Sequence, residues 1–256
     1  MKGAVVCDLD GVVYRGKTSM PHAKEALRAL AADGRSLLFV TNNSAREPAD
    51  VRQKLAEVVG YEADESQIIT SALVAATLIE AGPVLVMGEI GVESAVLAAG
   101  FRLTDDPLQA ATVVAGLDRG ITYDRVARAS TAVRSGARLI VTNRDPTFPV
   151  EGGLLPGAGA CAAAVETAAG VTGVTAGKPS EGMRCLIESR LPDGPIWMVG
   201  DRPDTDIALA SGPRWRSVLV LTGVTSDPAT ADPAPDFVAA DLGEAAELIL
   251  RLSKVG

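Results

Sequence analysis

Residues 4–12 read AVVCDLDGV, an apolar run that leads directly into two aspartates, Asp8 and Asp10. Short runs rich in β-branched residues are typical of buried strands, so residues 4–7 are predicted to form the first strand. Similar runs predict strands at 37–40, 68–69, 84–87, 112–115, 139–141, 196–199 and 218–221. Alanine-rich stretches between them predict helices at 21–32, 47–59, 92–99, 123–135, 157–169 and 181–191. This alternation predicts an α/β fold whose parallel sheet is flanked by helices on both faces.

Four polar stretches directly follow apolar runs: 8–11 (DLDG), 41–44 (TNNS), 177–179 (GKP) and 200–206 (GDRPDTD). In open α/β sheets, ligands bind at the carboxyl ends of the strands, where helix N-termini also point. Each stretch by itself is better explained as a turn or a helix cap than as a site. Their joint placement after apolar runs is what favours one shared site.

The residue types of these stretches point to a hard metal ion. Carboxylates that converge on one point repel each other by about 1–4 kcal/mol per pair at ~4 Å. A divalent cation removes that cost, and Mg²⁺ prefers oxygen ligands, binding one or two carboxylates together with a substrate phosphate. The chain has a single histidine, His22, and no cluster of cysteine and histidine, so zinc is disfavoured.

In this order, DLDGV, Thr41 in TNNS, Lys178 in GKPS and GDRPDTD resemble the four motifs of the haloacid dehalogenase superfamily. The resemblance covers essentially the whole chain and is greatest to the class IIA, NagD-like branch of phosphatases. It implies a Rossmann-like core domain formed by 1–72 and 174–256, with an inserted α/β cap domain at 73–173. Residues 73–173 have a strand–helix pattern of their own, as such a cap needs.

The resemblance also implies the chemistry. Asp8 would attack phosphorus and form an aspartyl-phosphate, a covalent route open to carboxylates. Asp10 would protonate the leaving oxygen and then activate water. Lys178 would neutralise charge on the nucleophile and on the transferring group. The phosphoryl oxygens would be held by Thr41, Asn42 and Asn43.

A magnesium site follows from the same resemblance. Its ligands would be the carboxylates of Asp8 and Asp201 and the backbone carbonyl of Asp10. Asp206 is expected to orient this site from behind rather than to bind the metal. Catalysis would then consist mainly of positioning and charge stabilisation.

The loop 142–149 (TNRDPTFP) follows a predicted strand of the cap and resembles the substrate-facing loop of the branch, which makes Asn143, Asp145 and Phe148 candidate substrate-binding residues. It is equally a rigid turn set by two prolines, and the two interpretations are compatible. Pyridoxal-phosphate phosphatases of the branch tend to carry histidine where Phe148 stands, which counts against that substrate. Glycerol phosphate, phosphoglycolate, nucleotides and sugar phosphates stay open.

Composition limits the other function classes. A net charge of −8 without a basic stripe argues against nucleic-acid partners, and no run reaches the roughly 18 apolar residues of a membrane span. Three distant cysteines without a CxxC pair favour a reducing cytoplasm.

The resemblance makes a homodimer possible. A phosphotransferase or mutase, and a non-catalytic regulator that binds phosphometabolites, are the alternative functions.

Residues 157–162 (GAGACA) fit a loose dinucleotide-binding pattern. That reading requires a strand directly before the first glycine and an acidic ribose partner about 20 residues on. Residues 154–156 are not predicted to form a strand, and no such acidic residue is evident. Close helix packing is therefore the preferred explanation of these glycines.

Overall fold

The computed structural model of the protein describes residues 2–150 and 153–252, without the side chains of Pro149 and Val150. The described chain forms two compact units, one from the described parts of 1–41, 49–69 and 184–256, the other from 42–48 and 70–183. The second unit thus takes in 42–48, 70–72 and 174–183 in addition to the predicted cap. The domain limits at 72/73 and 173/174 stay a prediction.

The strands, in chain order, are β1 (Ala4–Asp8), β2 (Tyr14–Arg15), β3 (Thr18–Ser19), β4 (Ser36–Thr41), β5 (Ile68–Thr70), β6 (Val84–Met87), β7 (Thr112–Ala115), β8 (Arg138–Val141), β9 (Thr147–Val150), β10 (Gly153–Pro156), β11 (Val174–Thr175), β12 (Ile196–Gly200), β13 (Trp215–Val220) and β14 (Phe237–Ala239). The α-helices are α1 (Ala23–Ala32), α2 (Pro48–Lys54), α3 (Ser71–Thr77), α4 (Ile90–Ala98), α5 (Tyr123–Arg134), α6 (Ala158–Ala169), α7 (Glu181–Ser189) and α8 (Leu242–Leu252). Leu55–Val59 and Pro203–Ile207 are π-helical turns.

The first unit is built on a sheet with the order β14-β13-β12-β1-β4-β5. β1 pairs in parallel with both β4 and β12, with Cys7 opposite Phe39 on one side and Val199 on the other. All five residues of β1 are buried, as its uninterrupted apolar run predicts for a central strand. Helices α1 and α8 pack on this sheet, and Leu27, Leu30 and Ile249 belong to its core.

The second unit has its own parallel sheet, in the order β11-β8-β7-β6. Helices α5 and α6 pack on one another and bury small apolar side chains against this sheet, among them Ala129, Ala132, Cys161 and Ala162. Thr70 caps α3 and Thr122 caps α5, each by accepting a backbone N–H three residues on. Small side chains let helices and strands approach closely, which suits a chain poor in aromatic residues.

All eight predicted strands are present, and parallel sheets flanked by helices confirm the predicted fold class. The sequence predicted no strand at 154–156, and this prediction was wrong, because these residues belong to β10. β10 pairs antiparallel with β9 in a two-stranded hairpin and its residues are exposed, so the burial signal of a core strand is missing. A hairpin strand of this kind is not the parallel strand that a dinucleotide-binding turn requires.

Within the described residues, no helix has the length and apolar character needed to cross a membrane.

Candidate active site

Three buried aspartates meet at the carboxyl edge of the first unit's sheet. Asp8 is the last residue of β1, and Asp201 follows the last residue of β12. Because β1 and β12 are adjacent and parallel, both side chains emerge at the same edge. Asp206 lies on the π-helical turn that follows β12. Ligand oxygens of the three carboxylates all lie within 4.8 Å of one another.

Asp206 braces the loop that carries Asp201. Its Oδ2 accepts the backbone N–H of Asp201 at 3.2 Å and that of Arg202 at 3.1 Å. Asp206 is completely buried, and a Cβ on Gly200 would come within 2.1 Å of Asp206 Cβ. Only glycine at position 200 lets the side chain fold back so closely. These contacts favour the orienting role that the sequence analysis expects of Asp206.

A second loop, which was not predicted from the sequence, encloses the Asp201 carboxylate. Val224 donates its N–H to Asp201 Oδ2 at 2.6 Å, and Thr222 Oγ1 donates to the carbonyl of Gly11 at 2.6 Å. A Cβ on Gly223 would lie 1.8 Å from Asp201 Oδ2, and one on Gly11 would lie 2.7 Å from it. The available signal was that Thr222 and Gly223 directly follow the predicted strand 218–221.

The three aspartates form a donor set that fits Mg²⁺. Their residues are at most 8% exposed, so mutual repulsion is screened little by water. The set contains only carboxylate oxygens, the ligands of hard divalent cations, and neither histidine nor cysteine. Gly11 and Gly223 allow the backbone to approach the Asp201 carboxylate closely, whereas a side chain at either position would fill the space beside that carboxylate.

Asp10 lies beside the cluster but in a different environment. About half of its side chain is exposed, and its Oδ1 lies 3.8 Å from Lys54 Nζ. That ammonium group also lies 3.6 Å from the centroid of the Tyr14 ring, a cation–π contact. Burial, with the nearby carboxylates of Asp10 and Asp8 adding to it, raises the pKa of Tyr14 well above its ordinary value. Tyr14 therefore stays neutral beside the half-exposed carboxyl group of Asp10.

Cys7, directly before the proposed nucleophile, is completely buried in the first unit's core. Burial, reinforced by the negative charge of Asp8, raises the pKa of its thiol to about 12. A thiol that stays protonated reacts slowly with oxidants and electrophiles. The geometry favours the core-packing interpretation of Cys7 over a redox-sensitive one.

The other candidate residues are grouped in the second unit, apart from Thr41, which is the buried last residue of β4. Asn42 Oδ1 accepts the backbone N–H of Lys178 at 2.8 Å, and Asn143 Nδ2 donates to the carbonyl of Asn42 at 2.6 Å. Asn143 Oδ1 accepts the N–H of Asp145 at 3.0 Å. The loops after β4, β8 and β11 are thus joined around Asn42.

Two candidates are placed differently. Asn43 is exposed, and its Oδ1 accepts the N–H of Ala45 at 2.9 Å, so its side chain shapes the turn. Phe148 is half-buried on β9 of the hairpin. The structure brings Asp8, Asp201 and Asp206 together in one unit, and Asn42, Asn143, Asp145 and Lys178 together in the other.

Two family models match the chain. The model of the haloacid dehalogenase-like hydrolases covers residues 5–102, and an HAD-hydrolase-like model covers residues 175–245. The matched parts contain Asp8, Asp10 and Thr41 in the first and Lys178 and Asp201 in the second. They leave out most of the stretch that forms the second unit's sheet.

Named relatives extend the match over nearly the whole chain. The acid sugar phosphatase of Staphylococcus saprophyticus is 37% identical over 229 residues, which is 87% of this chain and 88% of that protein. The p-nitrophenyl phosphatase from Archaeoglobus fulgidus superposes with a TM-score of 0.87 at 31% identity, over 96% of this chain and 98% of the other. The glycerol phosphate phosphatase from Mycobacterium tuberculosis, in complex with magnesium, gives a TM-score of 0.85 at 34% identity, over 96% and 78% of the two chains.

The chain belongs to the haloacid dehalogenase-like hydrolases. Within that family its relatives are phosphatases of the class IIA kind, in agreement with the motif order 8–11, 41–44, 177–179 and 200–206. The chain is accordingly a phosphatase of the haloacid dehalogenase type.

Proposed function

We propose that this phosphatase hydrolyses small phosphorylated metabolites with Mg²⁺ as cofactor and Asp8 as nucleophile. The observation that carries the proposal is the cluster of Asp8, Asp201 and Asp206 at the carboxyl edge of the first sheet, with ligand oxygens within 4.8 Å. A buried nucleophile beside an oxygen-only donor set is suited to phosphoryl transfer, where positioning and charge stabilisation do most of the work.

The reaction has two steps. A carboxylate oxygen of Asp8 attacks phosphorus, the bond from phosphorus to the ester oxygen breaks, and Asp10 gives its proton to the departing alkoxide. Water then attacks phosphorus of the aspartyl-phosphate, Asp10 takes up a proton from that water, the bond from phosphorus to the Asp8 oxygen breaks, and inorganic phosphate leaves. Both carboxyl groups return to their starting states. The exposed position of Asp10 beside Lys54 suits a group that meets leaving alcohols and water.

The remaining polar groups are assigned to the phosphoryl oxygens. Thr41 at the end of β4 offers its hydroxyl, and the backbone N–H groups of Asn42 and Asn43 continue the same loop. Lys178 supplies a compact positive charge for the nucleophile and the transferring group. Its side chain is buried, and charges interact more strongly in a protein interior than in water because the effective dielectric constant is lower.

For the metal, we assign the carboxylates of Asp8 and Asp201 and the backbone carbonyl of Asp10 as ligands, with Asp206 orienting Asp201. A bound Mg²⁺ would supply charge neutralisation for the carboxylates and the phosphoryl oxygens. The glycerol phosphate phosphatase relative was solved in complex with magnesium and, separately, with calcium.

The substrate class rests on the named relatives. The substrates to be tested are those in the names of the relatives acid sugar phosphatase, p-nitrophenyl phosphatase and glycerol phosphate phosphatase. Phosphoglycolate and nucleotides complete the panel. Candidate contacts to the leaving group are Asn143, Asp145 and Phe148, since discrimination among such esters rests on a few kcal/mol of contacts remote from phosphorus.

A single assay tests the proposal. Hydrolysis of p-nitrophenyl phosphate is measured for the wild type with Mg²⁺ and with EDTA, and for Asp8→Asn and Asp193→Asn with Mg²⁺. Asp193 is an exposed aspartate in the segment before β12, remote from the carboxyl edge, and serves as the matched control. We expect turnover that EDTA removes, that Asp8→Asn lacks and that Asp193→Asn retains.

Other results have definite meanings. Activity that survives in Asp8→Asn contradicts the covalent step. Transfer of phosphate to an added alcohol in place of water would point to a phosphotransferase or mutase. A wild type without turnover across the whole panel would point to a non-catalytic phosphometabolite-binding protein.

We also propose a reducing cytosolic location and a homodimer. The location is supported by three cysteines that are free thiols, of which Cys185 is exposed. Light scattering in solution tests the homodimer, and a monomeric mass would exclude it.

A further inference from the structure

The side chain of Asn42 is committed to protein contacts. Its Oδ1 accepts the backbone N–H of Lys178 at 2.8 Å, and its Nδ2 donates to the carbonyl oxygen of Lys178 at 3.4 Å. The same Nδ2 lies 3.3 Å and 3.4 Å from the two carboxylate oxygens of Asp145. One amide thus contacts the backbone of the proposed catalytic lysine and the candidate substrate loop at once.

The backbone of Asn42 is held as firmly as its side chain. Its carbonyl accepts Asn143 Nδ2 and Ser71 Oγ, each at 2.6 Å. Asn143 and Ser71 are themselves buried, at 3% and 0% exposure. Hydrogen bonds from the loop after β8 and from the first residue of α3 therefore fix the backbone to which the Asn42 side chain is attached.

Gly177 shows how closely the lysine segment approaches this amide. A Cβ at position 177 would lie 2.5 Å from Asn42 Oδ1 and 2.6 Å from the carbonyl of Thr142. Gly177 donates its N–H to that carbonyl at 2.7 Å, which continues the pairing of β11 with β8. The segment 176–178 is consequently held between Asn42 on one side and the end of β8 on the other.

We infer that Asn42 is a positioning residue that fixes the backbone of Lys178, and that its side chain does not serve as a phosphate ligand. The inference rests on the proposed function, because it takes the catalytic role of Lys178 from there. Chemistry supports asparagine at this place: an amide offers an acceptor for the lysine N–H and a donor for Asp145, whereas a carboxylate lacks the donor. Because the backbone of the lysine is held in place, its side chain has fewer positions available to its ammonium group.

The test combines a structural and a kinetic measurement on the whole 256-residue chain. Amide hydrogen exchange of Lys178 is followed by NMR in the wild type, in Asn42→Ala and in Asn42→Asp. Steady-state kinetics with p-nitrophenyl phosphate are measured on the same samples. The matched control is Gln67→Ala: Gln67 also clamps backbone through one amide, with Oε1 accepting Asp64 N–H at 2.9 Å and Nε2 donating to the carbonyl of Leu37 at 3.1 Å.

We expect exchange at Lys178 N–H to accelerate about 10-fold or more in Asn42→Ala, because its acceptor is gone. In Asn42→Asp, which retains an acceptor oxygen, protection should stay within about 3-fold of the wild type. kcat of Asn42→Ala should fall on the order of 10–100-fold with little change in KM, as expected when a catalytic group is misplaced. Gln67→Ala should alter neither Lys178 exchange nor kcat.

Three results would overturn the inference. Unchanged Lys178 exchange in Asn42→Ala would show that the amide does not hold this backbone. A raised KM with kcat unchanged would show that Asn42 binds substrate directly in the ground state. A wild type that hydrolyses no phosphomonoester, yet protects Lys178 N–H through Asn42, would refute the proposed function and leave the contact without a catalytic meaning.

Discussion

Asp206 holds Asp201 through the backbone: its Oδ2 accepts the N–H of Asp201 at 3.2 Å, and Asp201 in turn presents its own carboxylate to the cluster with Asp8. Both residues are buried, Asp206 completely and Asp201 at 2% exposure. The carboxylate of Asp206 thus sets the position of Asp201, which lies five residues earlier in the chain, by accepting its backbone N–H.

Asp206→Ala should raise the Mg²⁺ concentration needed for half-maximal activity about 10–100-fold, because groups that orient metal ligands have effects of that size. It should also lower the free energy of unfolding by about 1–3 kcal/mol, since two N–H groups lose their acceptor. Magnesium titrations of activity and chemical denaturation measure the two effects. The control is Asp204→Ala on the same turn, whose exposed carboxylate pairs with Arg202 at 2.9 Å and whose loss should cost little. An unchanged Mg²⁺ requirement in Asp206→Ala would contradict the orienting role.

Gly223→Ala should weaken Mg²⁺ binding and destabilise the fold by about 1–3 kcal/mol, because its Cβ would overlap the Asp201 carboxylate. Isothermal titration with Mg²⁺ and thermal denaturation follow the two effects. Gly120→Ala is the matched substitution, since a Cβ there meets only Asp118 Oδ1, at 3.4 Å. Equal behaviour of the two variants would mean that the loop moves aside without cost.

Phe148→Ala should change the ranking of substrates more than it changes hydrolysis of p-nitrophenyl phosphate. Its half-buried ring belongs to the β9–β10 hairpin, and no charge that acts on phosphorus is lost. kcat/KM across sugar phosphates, glycerol phosphate, phosphoglycolate and nucleotides measures the ranking. Leu108→Ala removes an exposed apolar side chain elsewhere in the second unit and should leave the ranking unchanged. Equal losses on every substrate would argue against a specificity role of Phe148.

The pair of His22 and Asp241 should make stability depend on pH. His22 Nδ1 lies 2.8 Å from Asp241 Oδ2, and this hydrogen bond raises the pKa of the imidazole above its ordinary value of about 6.5. Because the pKa is higher in the folded state, the stabilisation is complete below about pH 6.5 and is lost as pH rises through the folded pKa. The Tm difference between the wild type and His22→Asn should therefore be larger at pH 5.5 than at pH 8.5.

Asparagine suits this comparison because His22 has a left-handed backbone, with φ 57°, which asparagine tolerates. His22 is the single histidine of the chain, so its NMR titration is free of overlap. A measured pKa at or below 6.5 would remove the basis of the expected pH dependence.

Cys7 should not react with thiol reagents in the native protein. With its pKa raised to about 12 by burial and by the charge of Asp8, only about one thiol in ten thousand is ionised at pH 8. Exposed Cys185 should react quickly, and Cys185→Ser should abolish the fast phase of labelling with a chromogenic disulfide. Fast labelling that persists in Cys185→Ser, and that Cys7→Ser removes, would restore the redox interpretation of Cys7.

The elements that could be predicted were those with an unambiguous burial pattern. Eight of the ten strands of the two parallel sheets lie in continuous apolar runs, and the sequence predicted them to within three residues at each end, whereas the short strands β11 and β14 were not predicted. Helix α8 was not predicted, although its buried residues Leu242, Ala245, Ala246 and Ile249 have helical spacing that would have revealed it. The β9–β10 hairpin offered no such signal, because the described residues of β10 are exposed.

The sequence by itself determined the acidic cluster of the first unit, because Asp8 and Asp201 follow apolar runs and the carboxyl ends of parallel strands meet at one edge of a sheet. It did not determine how each side chain is used. Asn42 was expected to contact phosphate, and only the tertiary structure shows its amide engaged with Lys178 and Asp145. The contacts of Gly223 and Val224 with the Asp201 carboxylate were not predicted either, although both residues lie just after the predicted strand 218–221. Such contacts join residues far apart along the chain, so their partners are decided by packing and not by local sequence pattern.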